Sequence, residues 1–399
     1  MTTSRPSSVE YDPYSADLIA SPWATYREMR DREPLHYCEQ HDVWALTRYA
    51  DVETGLKDWQ TFSSARGAIL EFIKAGVTFP PGLVIFEDPP THTTHRSLMA
   101  RVFTPRKVAE LEPQIRAFCA RVLDPLVGTD RFDFVSDFAV ELPMRVIGML
   151  LGIPEQDQEF VRDKTYDTLR TEAGKPMEVT QESVIDVSQF VDYIDWRANN
   201  PSDDIMTDLL NAEFVDEKGV QRRLTREEVL TYVTVVAGAG NETTSRLIGW
   251  LGKVLAEHPD QRRKVVEDRS LLPNVIDETL RYEPTGLHVA RYVTRDVEFH
   301  GTTVPAGSAM LLVVGAANRD ERRFDDPETY DITRSEGAHL AFGFSNHFCL
   351  GASLARMEGR IALDEVLNRF PEWELDHEHL QPTTTSTVRG WEHLPVFVG

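Results

Sequence analysis

Cys349 stands in "FGFSNHFCLGASLARMEG", with aromatic residues and glycines before it and a helix-like run after it. Leu350, Leu354, Met357 and Ile361 recur at helical spacing and Pro371 closes the run behind Phe370, so the spacing predicts a helix starting just after the thiol. At such a place unpaired backbone N–H groups and the positive end of the helix dipole both favour thiolate over thiol. A thiolate can be a nucleophile or a metal ligand. As a nucleophile it needs a base, and His347, two residues away on an extended segment, is not thereby in contact. As a ligand it needs a soft metal centre, and Gly343 and Gly351 let the backbone approach a large flat object. Ligation accounts for more of the loop. A serine-hydrolase elbow on "GFSNH" fails because His347 stands where the last glycine belongs, and a zinc hydrolase on "HTTH" (His92, His95) lacks the glutamate and the spacing.

A second stretch with chemical potential is "VVAGAGNETTS", in the middle of a long helical pattern. Thr225 with Glu228 reads as a capping box, the periodicity continues through Trp250 to Ala256, and Pro259 stops it. At 1.5 Å per residue such a helix spans roughly 50 Å, so its middle must lie in the core. Gly238 and Gly240 each cost about 1 kcal/mol of helix stability, and the Thr243 hydroxyl can bond back to the carbonyl of Ala239, loosening the ladder into a groove. Glu242 adds a carboxylate at core depth, expensive unless partnered or functional. Two readings stand for this stretch: a functional groove, or close helix packing with a solvated Glu242.

Two charged pairs complete the set. Glu278 and Arg281 fall on one face of a helix between Pro273 and Pro284, and on spacing alone read as an ordinary surface ion pair worth about 0 to 1 kcal/mol. His92 and Arg96 project from one side of a helix that follows "EDPP", as an anion site or as a solvated basic face.

The scaffold for these groups is α-rich. Helical periodicity dominates from about Pro105, with strand signals in "LHYCEQHDVWALTRY", "RYVTRDVEFHGTTVPAGSAMLLVV" and "TSTVRGWEHLPVFV". No linker or repeat divides the 399 residues, and we read one domain over 1–399 with a short polar tail over about residues 1–13. A net charge of -23 repels nucleic acid and anionic lipid. No signal peptide or membrane anchor is expected, and the three cysteines are too few for a disulfide framework, leaving Cys38 and Cys119 as inert core residues in a cytoplasmic protein.

Taken in order, "DPPTHTTHR", "AGAGNETTS", "ETLRYEP", "HVARYVTRDVEFHGTTVPAG", "ANRDERRFDDPETYDITR" and "FGFSNHFCLG" resemble the cytochrome P450 family, of the soluble, actinobacterial, ferredoxin-dependent type, from about Tyr14 to the end. The resemblance implies a mainly α, triangular fold with small β-sheets and heme b (iron protoporphyrin IX) between the long helix and the cysteine helix. Cys349 is then the proximal iron ligand, His92, Arg96, Arg291 and His347 hold the heme propionates, and Phe342 packs beside the sulfur. Gly343 and Gly351 shape the loop. Glu278, Arg281 and Arg334 become a structural group that steadies it. Ala239 and Gly240 match the oxygen groove, Thr243 its hydroxyl and Glu242 the proton relay. One departure is Ser345, where the family pattern has glycine; at positive φ serine costs about 1 kcal/mol or more.

The implied reaction is O2-dependent hydroxylation or epoxidation of a hydrophobic small molecule, terpenoid, steroid, lipid or aromatic. Electrons are expected from a separate ferredoxin and its NAD(P)H-dependent reductase, docking on a monomer near Arg101, Arg106, Lys107, Arg356 and Arg360. The resemblance places substrate contacts at Ile69, Leu70, Phe72, Ile73, Val235, Val236, Leu287, Val289 and Val388, each of which also reads as a core side chain. His288 reads equally as a polar anchor or as a satisfied structural histidine. A peroxide-driven peroxygenase and a non-catalytic heme sensor are the rival readings, and the retained Glu242 and Thr243 speak against both.

Overall fold

The Thr225 hydroxyl accepts from the Glu228 N–H at 3.2 Å, and the Glu228 carboxylate accepts from the Thr225 N–H at 2.8 Å. This capping box opens a helix of 32 residues, Arg226–Glu257, about 50 Å long, with the start and stop that the sequence predicts. Arg222 braces the cap, donating to the Glu228 carboxylate at 2.7 and 2.9 Å. The computed structural model describes residues 9–399 apart from Val102, Ser183, Glu336, Gly337, Thr384 and Ser386.

The central helix packs against Glu141–Leu151, Leu272–Tyr282 and Ala352–Arg369, and these contacts form the largest apolar core. Its glycines permit the approach: a Cβ on Gly240 would lie 2.6 Å from Cδ1 of Ile147, and one on Gly252 would lie 2.8 Å from the Phe134 ring. Close helix packing therefore explains Gly240, and its helix-propensity cost of about 1 kcal/mol is offset by contact with Ile147.

A five-stranded sheet covers the other side, in the order Leu35–Cys38, Val43–Leu46, Ala309–Leu312, Val289–Val293, Phe62–Ser63. Arg291 pairs in register with Met310 inside it. Strand signals near the C-terminus become Trp391–His393 and Pro395–Val398. The polar tail expected over residues 1–13 is shorter than that. Val9, Tyr11 and Tyr14 are buried, because Tyr11 packs its ring against Tyr26 and edge-on to His36; residues 1–8 lie outside the described residues. Among the described residues no helix is long and apolar enough to cross a membrane.

Glu278 and Arg281 depart furthest from their reading on spacing. Their side chains are 4% and 3% exposed, joined at 2.7 and 2.8 Å, and Arg334 Nε reaches the same carboxylate at 3.3 Å. Spacing cannot reveal what covers a helix face, and here the irregular segment around residues 318–334 does. Glu278→Gln leaves Arg281 buried without its counter-charge and should cost about 3–5 kcal/mol in urea unfolding; a loss under about 1 kcal/mol, the value of an exposed pair, would show that the group does not brace the fold.

Candidate functional site

The cysteine loop is built from backbone bonds. The Cys349 N–H donates to the Phe342 carbonyl at 2.7 Å and the Gly343 N–H to that of Leu340 at 2.8 Å. Gly343 has φ 70, and a Cβ there would meet the His347 carbonyl oxygen at 3.2 Å, so glycine is required. Ser345, the departure from the family pattern, does adopt positive φ, at 58. The helix behind the loop runs Ala352–Arg369 with Gly351 as its N-cap, as the spacing predicts, and the Gly351 N–H bonds to the sulfur. The thiol is nonetheless pushed up by burial, which outweighs the Gly351 N–H and the cations of Arg96 and Arg356. The expectation that the helix end alone stabilises thiolate is thus corrected: desolvating a sulfur anion costs more than one N–H and two cations return, and a directly bound metal cation would reverse the balance. Phe342 lies 6.2 Å from the Phe348 ring, with the Arg356 guanidinium 4.6 Å above it. Cys38 and Cys119 are buried, as expected, whereas Cys349 is reachable by solvent even though protein atoms crowd its sulfur and desolvate it.

The middle of the central helix is accessible too. Ala239 is exposed and Gly240 and Thr243 are half-buried, although Ala237, Asn241, Glu242 and Thr244 around them are buried. Thr243 Oγ1 donates to the Ala239 carbonyl at 2.8 Å, the back-bond expected from the sequence. Glu242 is not solvated. Its Oε1 accepts from Arg246 at 3.1 Å, with both side chains 2% exposed, and Arg246 continues to Glu392 at 3.3 Å and to the Trp391 carbonyl. Gly390 makes room for Arg246, since a Cβ there would sit 2.7 Å from Arg246 Cδ. Burial raises the Glu242 pKa, against the pull of Arg246, and Oε2 has no partner among the described residues.

Four basic side chains gather next to the cysteine loop. The His92 and His347 rings lie 4.3 Å apart; Arg96 reaches the Phe348 carbonyl and Arg291 donates to that of Ala290 at 2.8 Å. His347 also bonds to the Glu87 carbonyl. Both ring nitrogens of His92 and Nε2 of His347 are buried without a partner, and none of the four forms an ion pair among the described residues. Burial, followed by the charges of Arg291, His92 and Arg96, lowers His347 to about 3, and burial lowers Arg291 to about 10. Donors and cations gathered close together without an acceptor fit an anionic group. The basic face at His92 is therefore internal, not solvated.

The expected substrate contacts divide. Phe72 joins Phe79 and Phe86 in an aromatic cluster, with ring centroids 4.3–5.6 Å apart, against which Ile69 and Val235 pack. Leu70 and Leu287 belong instead to the core beneath the large sheet, with Ile73 against it, and Val236 belongs to the main core. Val289 packs on a third cluster, and Val388 is half-buried in a turn held by Thr385. These side chains have apolar neighbours on both sides, which a linear pattern cannot rank. His288 is half-buried, and burial lowers its pKa. The basic docking face is also less free than its residues suggest: Arg106 pairs with Glu110, Lys107 with Asp208, Arg356 with Asp277 and Arg360 with Glu112. Arg101 is exposed and unpaired among the described residues. Arg246, Glu392, Glu87 and His95 were not legible as site residues, and only the i, i+4 spacing of Glu242 and Arg246 offered a signal.

A family model described as Cytochrome P450 matches residues 151–390. The putative cytochrome P450 123 of Mycobacterium tuberculosis is 37% identical over 392 residues, covering 97% of this chain and 96% of that protein. The cyclomarin C epoxidase CymV of Salinispora arenicola is 36% identical, with 96% and 97% covered. Among solved structures, cytochrome P450 CYP109Q5 from Chondromyces apiculatus superposes with a TM-score of 0.86 at 32% identity over 98% of both chains. A mutant of P450 EryK in complex with erythromycin B gives 0.85 at 32% over 96% of this chain and 97% of that one.

Ser345→Gly should raise stability by about 1 kcal/mol in urea unfolding by relieving the left-handed strain; an unchanged midpoint would mean that the serine conformation carries no cost.

Proposed function

The chain belongs to the cytochrome P450 family, and on that footing we propose that it is a ferredoxin-served monooxygenase hydroxylating or epoxidising a hydrophobic small molecule, with Cys349 as the heme-iron ligand. Members of the family bind heme b and use O2 as co-substrate. The observation that carries the reading is an accessible sulfur deep in the chain beside four basic groups that lack any ion-pair partner among the described residues. Heme has both complements, a soft cation for the sulfur and two carboxylates for the donors, so the residues present fit it. When bound through thiolate it supplies oxygen activation, in which two electrons and two protons are consumed, one oxygen atom enters a C–H or C=C bond and the other leaves as water.

On this reading each contribution is assigned to a residue of the chain. Cys349 Sγ provides the ligand electron pair, steadied by the Gly351 N–H. His92, Arg96, Arg291 and His347 hold the carboxylates, where charge-assisted bonds are strong. Thr243 Oγ1 already gives its proton to the Ala239 carbonyl, which leaves the hydroxyl lone pairs to accept from the accessible groove. Glu242 offers its unpartnered Oε2 for taking up and passing on a proton, with burial raising its proton affinity, while Arg246 keeps the other oxygen in place. Phe72, Phe79, Phe86 and Val235 keep bulk water out and give an apolar substrate its contacts. An epoxidase among the relatives supports the epoxidation half of the reading. Arg101 and the exposed edges of the paired cations supply the face for an acidic ferredoxin.

Reduced, carbon-monoxide-treated holoprotein should show the thiolate-type Soret band, and Cys349→His should convert it to a globin-type band; a globin-type band in the unaltered protein would remove the ligand assignment. Thr243→Ala should lower product per reductant consumed by about tenfold, less than the roughly 100-fold or more that a positioned acid-base group contributes to a rate because water can still deliver some protons, in turnover with ferredoxin, reductase and NAD(P)H. Equal coupling in both proteins would exclude the proton role, and turnover with peroxide alone matching the full system would favour the peroxygenase.

A further inference from the structure

Glu87 is held at both of its ends. Its carboxylate accepts from the Gly82 N–H at 2.8 Å, and His95 Nδ1 lies 2.8 Å from each carboxylate oxygen. Its backbone carbonyl accepts from the His347 ring. The pair is enclosed, with the His95 side chain 2% and the Glu87 side chain 10% exposed, and the Tyr232 ring closes it edge-on, 5.8 Å from the His95 ring. No step of the proposed reaction uses Glu87 or His95.

The placement of this pair ties together the parts of the anion site. His95 and His92 lie three residues apart on the helix Thr91–Ala100, so they share a face, and a carboxylate that fixes His95 fixes the rotation of the helix and with it the His92 ring. The carbonyl of the same residue fixes the His347 ring and leaves Nε2 as its free nitrogen. The two imidazoles of the site, 4.3 Å apart, thus come from separate chain segments and meet through one residue. The next residue, Asp88, locks the turn from the other side, accepting from the Ser64 N–H at 3.0 Å and from the Ser63 hydroxyl.

We propose that Glu87, clamped by His95, is a positioning residue for the cofactor's carboxylates: its side chain sets His92 and its carbonyl sets His347. This rests on the reading that the four basic groups hold those carboxylates. Partners behind the contacting groups of a metal site typically change affinity by 10- to 100-fold when removed.

The test is the rate of heme transfer from holoprotein to excess apomyoglobin, read with the heme reduction potential and the unfolding midpoint. Glu87→Ala and His95→Leu should each speed transfer by about tenfold or more and shift the potential. Glu87→Gln should stay near the unaltered protein, because its single side-chain carbonyl can accept from both Gly82 and His95, as Oε1 does. Should Glu87→Ala yield no folded protein, His95→Leu carries the same test. A lower midpoint with unaltered heme transfer and potential would make Glu87 merely structural and overturn the proposal, as would a Gln variant as defective as the Ala variant. Arg291→Leu separates the two levels: if it speeds heme loss while Glu87→Ala and His95→Leu do not, only this inference fails, and if Arg291→Leu has no effect either, the reading of the basic cluster fails with it.

Discussion

Basic side chains left without an anionic partner beside the cysteine loop are the constraint on which the rest of this structure depends. The chain has 65 acidic residues against 42 lysines and arginines, so carboxylates are in ample supply. Yet Arg96, Arg291, His92 and His347 cluster without an ion-pair partner among the described residues. Buried cations without counter-charges are among the costliest arrangements a fold can hold. On the proposed reading a dianionic cofactor would complete the cluster, and its metal would offset the burial that disfavours the thiolate in the protein alone. The groups involved come from the cysteine loop, the helix Thr91–Ala100 and the strand Val289–Val293. The holoprotein therefore gains stability where the bare polypeptide is least content.

Much of this was legible because local rules and tertiary demands agree. The capping box at Thr225, the proline stops and the glycine at position 343 each have a local physical reason that survives in the fold. The back-bond from Thr243 to Ala239 is similarly local. Contacts between remote segments were not legible. Glu278 and Arg281 look the same at three-residue spacing whether water or the 318–334 segment covers them. Glu87 and His95 pair across a turn that no periodicity describes. Gly240 looked like an opening for a ligand, yet the Ile147 methyl occupies the place of its missing Cβ, while Ala239 beside it is the residue open to the groove. The basic face is less free than its residues suggest for a similar reason: Lys107, Arg356 and Arg360 are visible in the sequence, and their acidic partners on other helices are not.

Glu242 falls between the two readings weighed for its stretch. It is neither a free relay nor a solvated side chain, for one oxygen is engaged by Arg246 and the other is left open. Arg246 is shared with Glu392, which is 30% exposed, so the guanidinium links a buried carboxylate to one at the surface. Such a shared cation holds the buried carboxyl in place without neutralising it completely, and burial keeps its proton affinity above that of an ordinary glutamate.

The position of the sulfur is decided far from the sulfur itself. Between Asn318 and the cysteine loop the chain forms little regular structure, so its buried carbonyls have few ladder partners and must find donors on side chains. Arg281 supplies them, donating to the carbonyls of Asn318, Pro327 and Thr329 at 2.9–3.1 Å while Glu278 balances its charge. Asn318 then accepts from the Leu340 N–H at 2.7 Å, and the Tyr49 hydroxyl donates to the Ala338 carbonyl at 2.8 Å. Leu340 in turn accepts from Gly343, the glycine whose positive φ turns the loop toward Cys349. An arginine is the residue that can serve three carbonyls at once, because its planar fork presents five donors and never loses its charge. Apolar residues of the same volume would bury as much surface, but they would leave those carbonyls unsatisfied and the loop free to choose another path; the buried ion pair fixes the path of the chain that leads into the cysteine loop.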